Sequence, residues 1–296
     1  MEVPTNDVLT TASQALAAAI RAGGDSELIS LWLHGLAPHT QRAYTHDVAR
    51  FLAFVDRPLV QVNLRDLQAF ADSLVALQPG SQARALAAIK SLLTFAQKAG
   101  LLVLNVGLLL ELPRVKDSLA ERIMPQDIVL QLIHAEPKPR NAAILRLLYV
   151  AGLRVSELCD LCWRDVQPVA ELGQITVFGK GGKTRAIRLT ATIWQTLERL
   201  RGAAGADEPV FRSKAKGGGH LDPSQVRRIV YAAAKRAGLA DKISPHWFRH
   251  AHASHSLDAG CPIHLVQATL GHASVSTTGR YLHARPTDSS SRFLPA

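Results

Sequence analysis

After Pro38-His39-Thr40, apolar side chains recur three and four positions apart: Ala43, Tyr44, Val48, Phe51, Leu52 and Val55. That spacing stacks them on one face of an amphipathic helix. A second such stretch follows Asn63, whose side chain suits an N-cap, and carries Leu64, Leu67, Phe70, Ala71 and Leu74. A third opens near Ser81, continues through Leu86, Ile89, Leu93 and Phe95, and stops at Gly100. Shorter helical patterns occupy residues 8–21 and 27–36. These elements predict an all-helical domain over residues 1–112.

Residues 113–120 (PRVKDSLA) are polar, carry no period of their own and read as a linker. Helices resume in the domain that follows, residues 121–296: Pro125-Gln126-Asp127 opens one, and residues 140–151 form another that ends at Gly152. The period then changes to two. Residues 174–178 (QITVF) and 184–189 (TRAIRL) are β-type segments joined by Gly179-Lys180-Gly181-Gly182-Lys183. That pattern predicts a hairpin with a glycine-rich, lysine-bearing tip. Helices follow at 192–201, at 222–237 behind Asp222-Pro223, and at 244–259 behind Ser244-Pro245; both pairs are an N-cap followed by proline at the first helical position. The expected fold class is mainly α with a small β-sheet, in two domains, the first all-helical and the second mixed α/β.

Composition narrows the class of protein. A length of 296 residues suits two domains, and 47% hydrophobic with 20% charged residues is the make-up of a folded chain rather than a disordered one. The longest nearly apolar run, Leu101–Leu110, is half of what a bilayer-spanning helix needs. The opening MEVPTND has no apolar signal region, and three cysteines do not make a disulfide framework. Secretion, membrane spanning and disulfide scaffolding are therefore not expected, and a cytoplasmic location is. Charge is unevenly spread: residues 1–113 hold 8 basic and 9 acidic side chains, net −1, whereas residues 114–296 hold 26 and 15, net +11. A basic second half suits a polyanion, nucleic acid being the commonest, although a soluble protein that is merely basic has the same balance.

Four places in that half offer chemistry, and each also has a plainer meaning. Arg154 stands three residues before Glu157. On a helix the two share a face, ordinarily as a surface ion pair, otherwise as a guanidinium steadied by a carboxylate so that it can grip a phosphate with two parallel hydrogen bonds. Lys180 is either a solvated turn residue or a proton donor carried on a flexible tip; GKGGKT lacks the spacing of an ATP-binding loop. His246, Arg249 and His250, at i, i+3 and i+4, project from one face near a helix N-terminus, an end that favours anions. Seven of the twelve histidines lie between positions 246 and 283, yet no carboxylate separates His246 from His250 and Arg249 would repel a dication, so no metal site is expected. Cys159 and Cys162 form a lone C-x-x-C within an apolar stretch and read as core packing. Tyr281, nine residues past His272, is either a packing residue or a nucleophile. Taken together, arginines, a lysine, histidines and a tyrosine are what a pentavalent phosphate needs when no metal assists. Cations neutralise the non-bridging oxygens, an acid protonates the leaving oxygen, and a hydroxyl attacks.

These segments resemble the tyrosine recombinases of the phage-integrase type, most closely the Xer-like and simple integrase members. The likeness is carried by AGLRVSEL (Ala151–Leu158), VFGKGGKTR (Val177–Arg185), SPHWFRHAHASH (Ser244–His255), LGHASVSTT (Leu270–Thr278) and RYLH (Arg280–His283), in the family's order and spacings. It extends to PHTQRAYTHDVARFLAF (Pro38–Phe54), which is similar to the opening of the family's helical, SAM-like core-binding domain. The resemblance implies a site-specific DNA recombinase of integrase or resolvase type. Tyr281 would attack the scissile phosphate, leaving a 3′-phosphotyrosyl bond and a free 5′-hydroxyl. Arg154 and Arg249 would clamp the phosphate, Lys180 would protonate the 5′-oxygen, and His246 would be the base toward Tyr281. His272 would hydrogen-bond the phosphate, and Glu157 would orient its neighbours. No cofactor is implied: the phosphotyrosine stores the bond energy, so neither ATP nor a divalent metal is called for.

The implied partner is double-stranded DNA bearing a short inverted-repeat core site, bound by a dimer and exchanged within a homotetramer through a Holliday junction. A second recombinase or an activator is a further partner to consider, and no membrane is involved. Candidate DNA contacts are Arg42, Arg84 and Lys90 in the first domain, with Lys183 and Arg185 in the second. Two departures stand out. The 15 residues after Tyr281 read as a Ser-rich tail in which only Phe293 and Leu294 could do the work of the helix by which family members often reach a neighbouring protomer. There is also no space for an arm-binding domain ahead of the helical one, which favours a self-sufficient recombinase. Other readings of the same residues are a type IB topoisomerase, a catalytically silent DNA-binding accessory protein, and a metal-dependent hydrolase that would lose activity in EDTA.

Overall fold

The computed structural model describes residues 22–114, 116, 118–179, 184–214, 217–239 and 243–284. The chain divides into two compact units, Met1–Lys116 and Asp117–Ala296.

The first unit is helical: α1 (22–33), α2 (Pro38–Val55), α3 (Leu64–Ser73) and α4 (Pro79–Lys98). Proline opens α2 and α4, where its fixed φ suits the first turn and its missing N–H costs no bond. At α3 the Asn63 side chain accepts from the backbone N–H groups of Arg65 and Asp66, and Asp66 accepts from the Asn63 N–H in return. The apolar positions that predicted these helices form the core: Val48, Phe51, Leu67, Phe70, Leu86, Ile89 and Leu93 are all buried. Phe51 meets Phe70 edge-on at 5.0 Å between ring centroids. The helical pattern at 8–21 lies outside the described residues.

The second unit contains α5 (Gln126–His134), α6 (Pro139–Val150) and α7 (Val155–Asp160), then a three-stranded antiparallel sheet, β1 (Val166–Val169), β2 (Leu172–Phe178) and β3 (Thr184–Arg188). Five helices follow: α8 (Ala191–Arg201), α9 (Pro223–Arg236), α10 (Pro245–Asp258), α11 (Ile263–Leu270) and α12 (Val275–Ala284). The strands run in order β1-β2-β3, with Ile175 facing Val166 on one side and Ile187 on the other, so Ile175, Val177 and Ile187 turn one face of the sheet into the core. Its main core also takes Ile144, Leu147 and Leu148 of α6, Leu197 of α8, Val226 and Val230 of α9, and Phe248 of α10. Cys159 belongs to this core, and burial pushes its thiol up to about 12.

Two elements escaped the sequence. Strand β1 is four residues long and contains Pro168, which a strand tolerates only at a sheet edge, the place β1 occupies. Helix α12 is built on SVSTTGRY, where Ser, Thr and Gly disfavour helix; burial of Thr278 and Tyr281 against the rest of the unit outweighs that preference. Tyr281 closes a separate apolar cluster with Leu119, Ile123, Ala253, Val266 and Leu270. Residues 285–296, including Phe293 and Leu294, lie outside the described residues. No helix among the described residues is long and apolar enough to cross a membrane.

Candidate active site

Arg249 sits one turn into α10 and is 2% exposed, an unusual place for a guanidinium. One terminal nitrogen donates to the carbonyl of Gly152 and the other, at 2.6 Å, to that of Leu270. These carbonyls belong to the two turns that precede Arg154 and His272, so one buried cation ties together segments more than a hundred residues apart. Both turns need glycine. Gly152 has φ +58°, and a Cβ there would lie 2.7 Å from Leu270 and 2.9 Å from His252. Gly271 ends α11 in the left-handed conformation at φ +64°. Burial, with Arg154 nearby, lowers the Arg249 guanidinium to about 10, which still leaves it charged at neutral pH.

Glu157 organises the cations. It lies in the first turn of α7, buried, and its two oxygens accept four donors. Oε1 takes Arg154 Nη1 at 2.7 Å and Arg185 Nη1 at 2.9 Å; Oε2 takes the Arg154 backbone N–H and Arg185 Nη2, both at 2.8 Å. Burial alone would raise this carboxyl, but the bonds from Arg185 and Arg154 outweigh it and hold Glu157 at about 2. The Arg154–Glu157 pair is therefore more than a surface helix pair. Arg154 stays partly exposed, with Nη2 3.4 Å from the Gly271 carbonyl. Arg185, expected among the DNA contacts, has Nη1 and Nη2 on Glu157 and Nε on the Thr269 carbonyl at 2.7 Å. These bonds fix its guanidinium as a support for Glu157.

The nucleophile candidate faces the histidines. Tyr281 is 7% exposed, and its hydroxyl is 2.8 Å from His250 Nδ1. The His246 ring lies against His250 at 4.6 Å between centroids. On the other side, the His272 ring runs parallel to Tyr281 at 6.5 Å, and its Nδ1 is 2.9 Å from the hydroxyl of the buried Thr278. All three imidazoles are held below their ordinary value, chiefly by burial and then by the surrounding cations; His250 and His272 come down to about 4. They are neutral at pH 7. Burial raises the Tyr281 phenol more than Arg249 and Arg280 lower it, so in the free protein this hydroxyl keeps its proton.

An open cleft of about 920 Å³ adjoins the cluster, walled by Arg154, Arg185, His264, Gln267, His272 and Thr277. Gly179 and Thr184, the described residues on either side of 180–183, also line it. Lys180 and Lys183 themselves lie outside the described residues. The structure thus brings Arg154, Glu157, Arg185, His246, Arg249, His272 and Tyr281 together. The other predicted cations belong to the first unit. Arg42 is exposed on α2, Arg84 Nη2 is 3.1 Å from Asp47, and the Lys90 ammonium donates to the carbonyl of Leu110. Missed by the sequence were the Tyr281 bond to His250, the Thr278 bond to His272, and His264 and Gln267 in the cleft wall. The i, i+4 spacing of His246 and His250 flagged both imidazoles, but spacing cannot say which one meets a helix thirty residues away. Among the described residues, no three His, Cys, Asp or Glu side chains are placed to hold a metal ion.

Both units of the chain resemble known proteins. Residues 122–288 match the Phage integrase family and residues 29–100 match the Phage integrase, N-terminal SAM-like domain. The chain is 32% identical to a tyrosine recombinase of Pseudothermotoga lettingae over 84% of this chain and 88% of that protein. It is 33% identical to the tyrosine recombinase XerC of Pelobacter propionicus over 84% and 85%. Among solved structures, a lambda integrase dimer bound to a COC′ core site aligns over 90% of this chain and 95% of that one with a TM-score of 0.73 at 20% identity. The XerA recombinase aligns over 91% and 99% with a TM-score of 0.51 at 26% identity.

Proposed function

The chain belongs to the phage integrase family of tyrosine recombinases, and from that premise we propose that Tyr281 is the nucleophile with which it cuts and rejoins DNA. The enzyme is a site-specific DNA recombinase, and its residues divide the work in a definite way. Oη of Tyr281 bonds to the scissile phosphorus while the bond from phosphorus to the 5′-oxygen breaks; the departing oxygen takes a proton from Lys180. Arg154 and Arg249 carry the charge that develops on the non-bridging oxygens, the kind of preorganised stabilisation that is strongest where water is excluded. Donation from the Thr278 hydroxyl to His272 Nδ1, 2.9 Å away, would leave the neutral ring's proton on Nε2, to be donated to the same phosphate. His246 is a further imidazole of this site. Glu157 and Arg185 hold Arg154 at its angle.

The phosphotyrosine conserves the energy of the broken bond, so a 5′-hydroxyl of a second duplex can reverse the attack and exchange strands. Rejoining in this scheme draws on neither ATP nor a divalent metal. Such exchange requires two duplexes and four active sites. A dimer on a short inverted-repeat core site, pairing into a tetramer with a Holliday junction between strand exchanges, meets that requirement. The observation that carries the reading is the Tyr281 hydroxyl held on a neutral imidazole beside the buried Arg249 and the Arg154–Glu157–Arg185 network.

Covalent trapping tests it. Wild type and Tyr281→Phe are incubated in EDTA with fragmented genomic DNA, denatured, and the protein-linked fragments sequenced. Adducts formed by wild type alone and clustered on one inverted repeat are expected. Equal adducts from Tyr281→Phe would remove Tyr281 as nucleophile, and wild-type adducts scattered without a consensus would favour a topoisomerase.

A further inference from the structure

We infer that His250 is the group that takes the phenolic proton from Tyr281 during cleavage and returns it during rejoining. This deepens the reading of Tyr281 as nucleophile and rests on it. The inference starts from contact. His250 Nδ1 is 2.8 Å from the Tyr281 hydroxyl, within reach for direct proton transfer. The other two imidazoles are less well placed. His272 has its Nδ1 on Thr278, and its ring lies parallel to that of Tyr281, 6.5 Å away. His246 packs on His250 with its ring centroid 4.6 Å from that of His250, which itself bonds the phenol. The base role expected for His246 thus passes to the histidine one turn further along α10, and His246 is the exposed neighbour packed on its ring.

The surroundings explain why the pair is silent without DNA. The groups that face His250 are His246 and Arg249 on its own helix, Arg122 from the short turn ahead of α5, and Arg280 and Tyr281 on α12. Burial first, and then these groups, three of them guanidiniums, hold the imidazole at about 4, far too weak a base to take a proton from a buried phenol. A bound phosphodiester changes that balance. Its negative charge offsets Arg249 and its neighbours, which raises the proton affinity of His250 when the phenol must lose its proton. The electrons then balance in one step. The Tyr281 proton moves to Nδ1, the phenolate oxygen bonds to phosphorus, and the 5′-oxygen leaves with a proton from the acid side of the site. In the reverse step the imidazolium gives its proton back to the departing phenolate, so His250 serves both directions.

The test is single-turnover adduct formation on the duplex recovered by covalent trapping, with wild type, Tyr281→Phe, His250→Asn and His250→Ala, each checked for DNA binding by mobility shift. Asparagine keeps a polar atom near the place of Nδ1 but cannot carry a proton. We expect His250→Asn to form adduct at least about 100-fold more slowly at pH 7, within the usual range for loss of a general base. Its rate should climb with pH as the phenol ionises unaided, where the wild-type rate has levelled. Added imidazole should restore His250→Ala, a recovery that a packing role would not produce. Wild-type rate and pH profile in His250→Asn would overturn the proposal, as would loss of DNA binding in both His250 variants, which would assign the pair to packing. Absence of adduct from wild type, or its presence in Tyr281→Phe, would sink the parent reading instead.

Discussion

Each unit of the chain buries a carboxylate opposite an arginine, and the two behave in opposite ways. Asp47 in α2 is fully buried, yet it meets one terminal nitrogen of Arg84 at 3.1 Å, and its Oδ2 has no hydrogen-bond partner. Arg84 is 46% exposed, so water competes for its charge. Burial therefore dominates and raises the Asp47 carboxyl, against the pull of Arg84, His46 and Arg50. Glu157 is buried too, but two guanidiniums and a backbone N–H fill both its oxygens, and Arg185 is only 11% exposed. Its carboxyl falls to about 2. Burial alone does not tell whether an acid is a liability or an anchor; the number of donors that come with it does.

By that contrast, damage should grade with how completely each charge is enclosed. The largest effect is expected at Arg249, which holds the carbonyls of Gly152 and Leu270 and, in the proposed reaction, also carries charge on the phosphate. Arg249→Ala should slow single-turnover adduct formation by at least about 100-fold, as loss of one oxyanion-type donor does. It should also lower the unfolding midpoint, because two buried carbonyls lose their donor. An Arg249→Ala enzyme with wild-type cleavage would erase the distinction between the units.

Next comes Glu157→Gln, which leaves Arg185 enclosed without its countercharge and should cost about 3 kcal/mol of stability by denaturant unfolding. The pH dependence carries the same signature. Because Glu157 is more acidic folded, at about 2, than its ordinary 4.5, its contribution is full above pH 4.5 and drains away as pH falls toward 2. The variant should lack that component, and an identical acid profile in both proteins would refute the pairing. The smallest effect belongs to Asp47→Asn. A carboxyl raised on folding binds its proton more tightly in the native state, so its neutral form suits the fold. The substitution should change stability by less than about 1 kcal/mol and leave cleavage unaffected. A loss as large as that of Glu157→Gln would mean that Asp47 is an anchor after all.

Legibility followed locality. The helices of the first unit, the Asn63 cap and the β2–β3 hairpin could be read from spacing because their causes lie within a few residues: apolar period, cap chemistry and turn glycines. The identities of Arg154, Arg249, His272 and Tyr281 as a set could be read from motif order. Their connections could not. Arg185 is 28 residues from Glu157, and the Gly152 carbonyl is 97 residues from Arg249; nothing in a linear pattern says that these groups meet. Arg84 and Lys90 show the same limit, since charge on a helix face does not reveal that one bonds Asp47 and the other the Leu110 carbonyl.

Composition, period and motif thus determined the fold class, the family and a set of candidate reacting groups, since those depend on residue type and short-range geometry. Folding assigned the partners: which histidine holds the tyrosine and which arginine serves the carboxylate. A hydrogen bond depends on ångström-scale placement of side chains brought in from distant segments, and that placement exists only once the core has closed around them.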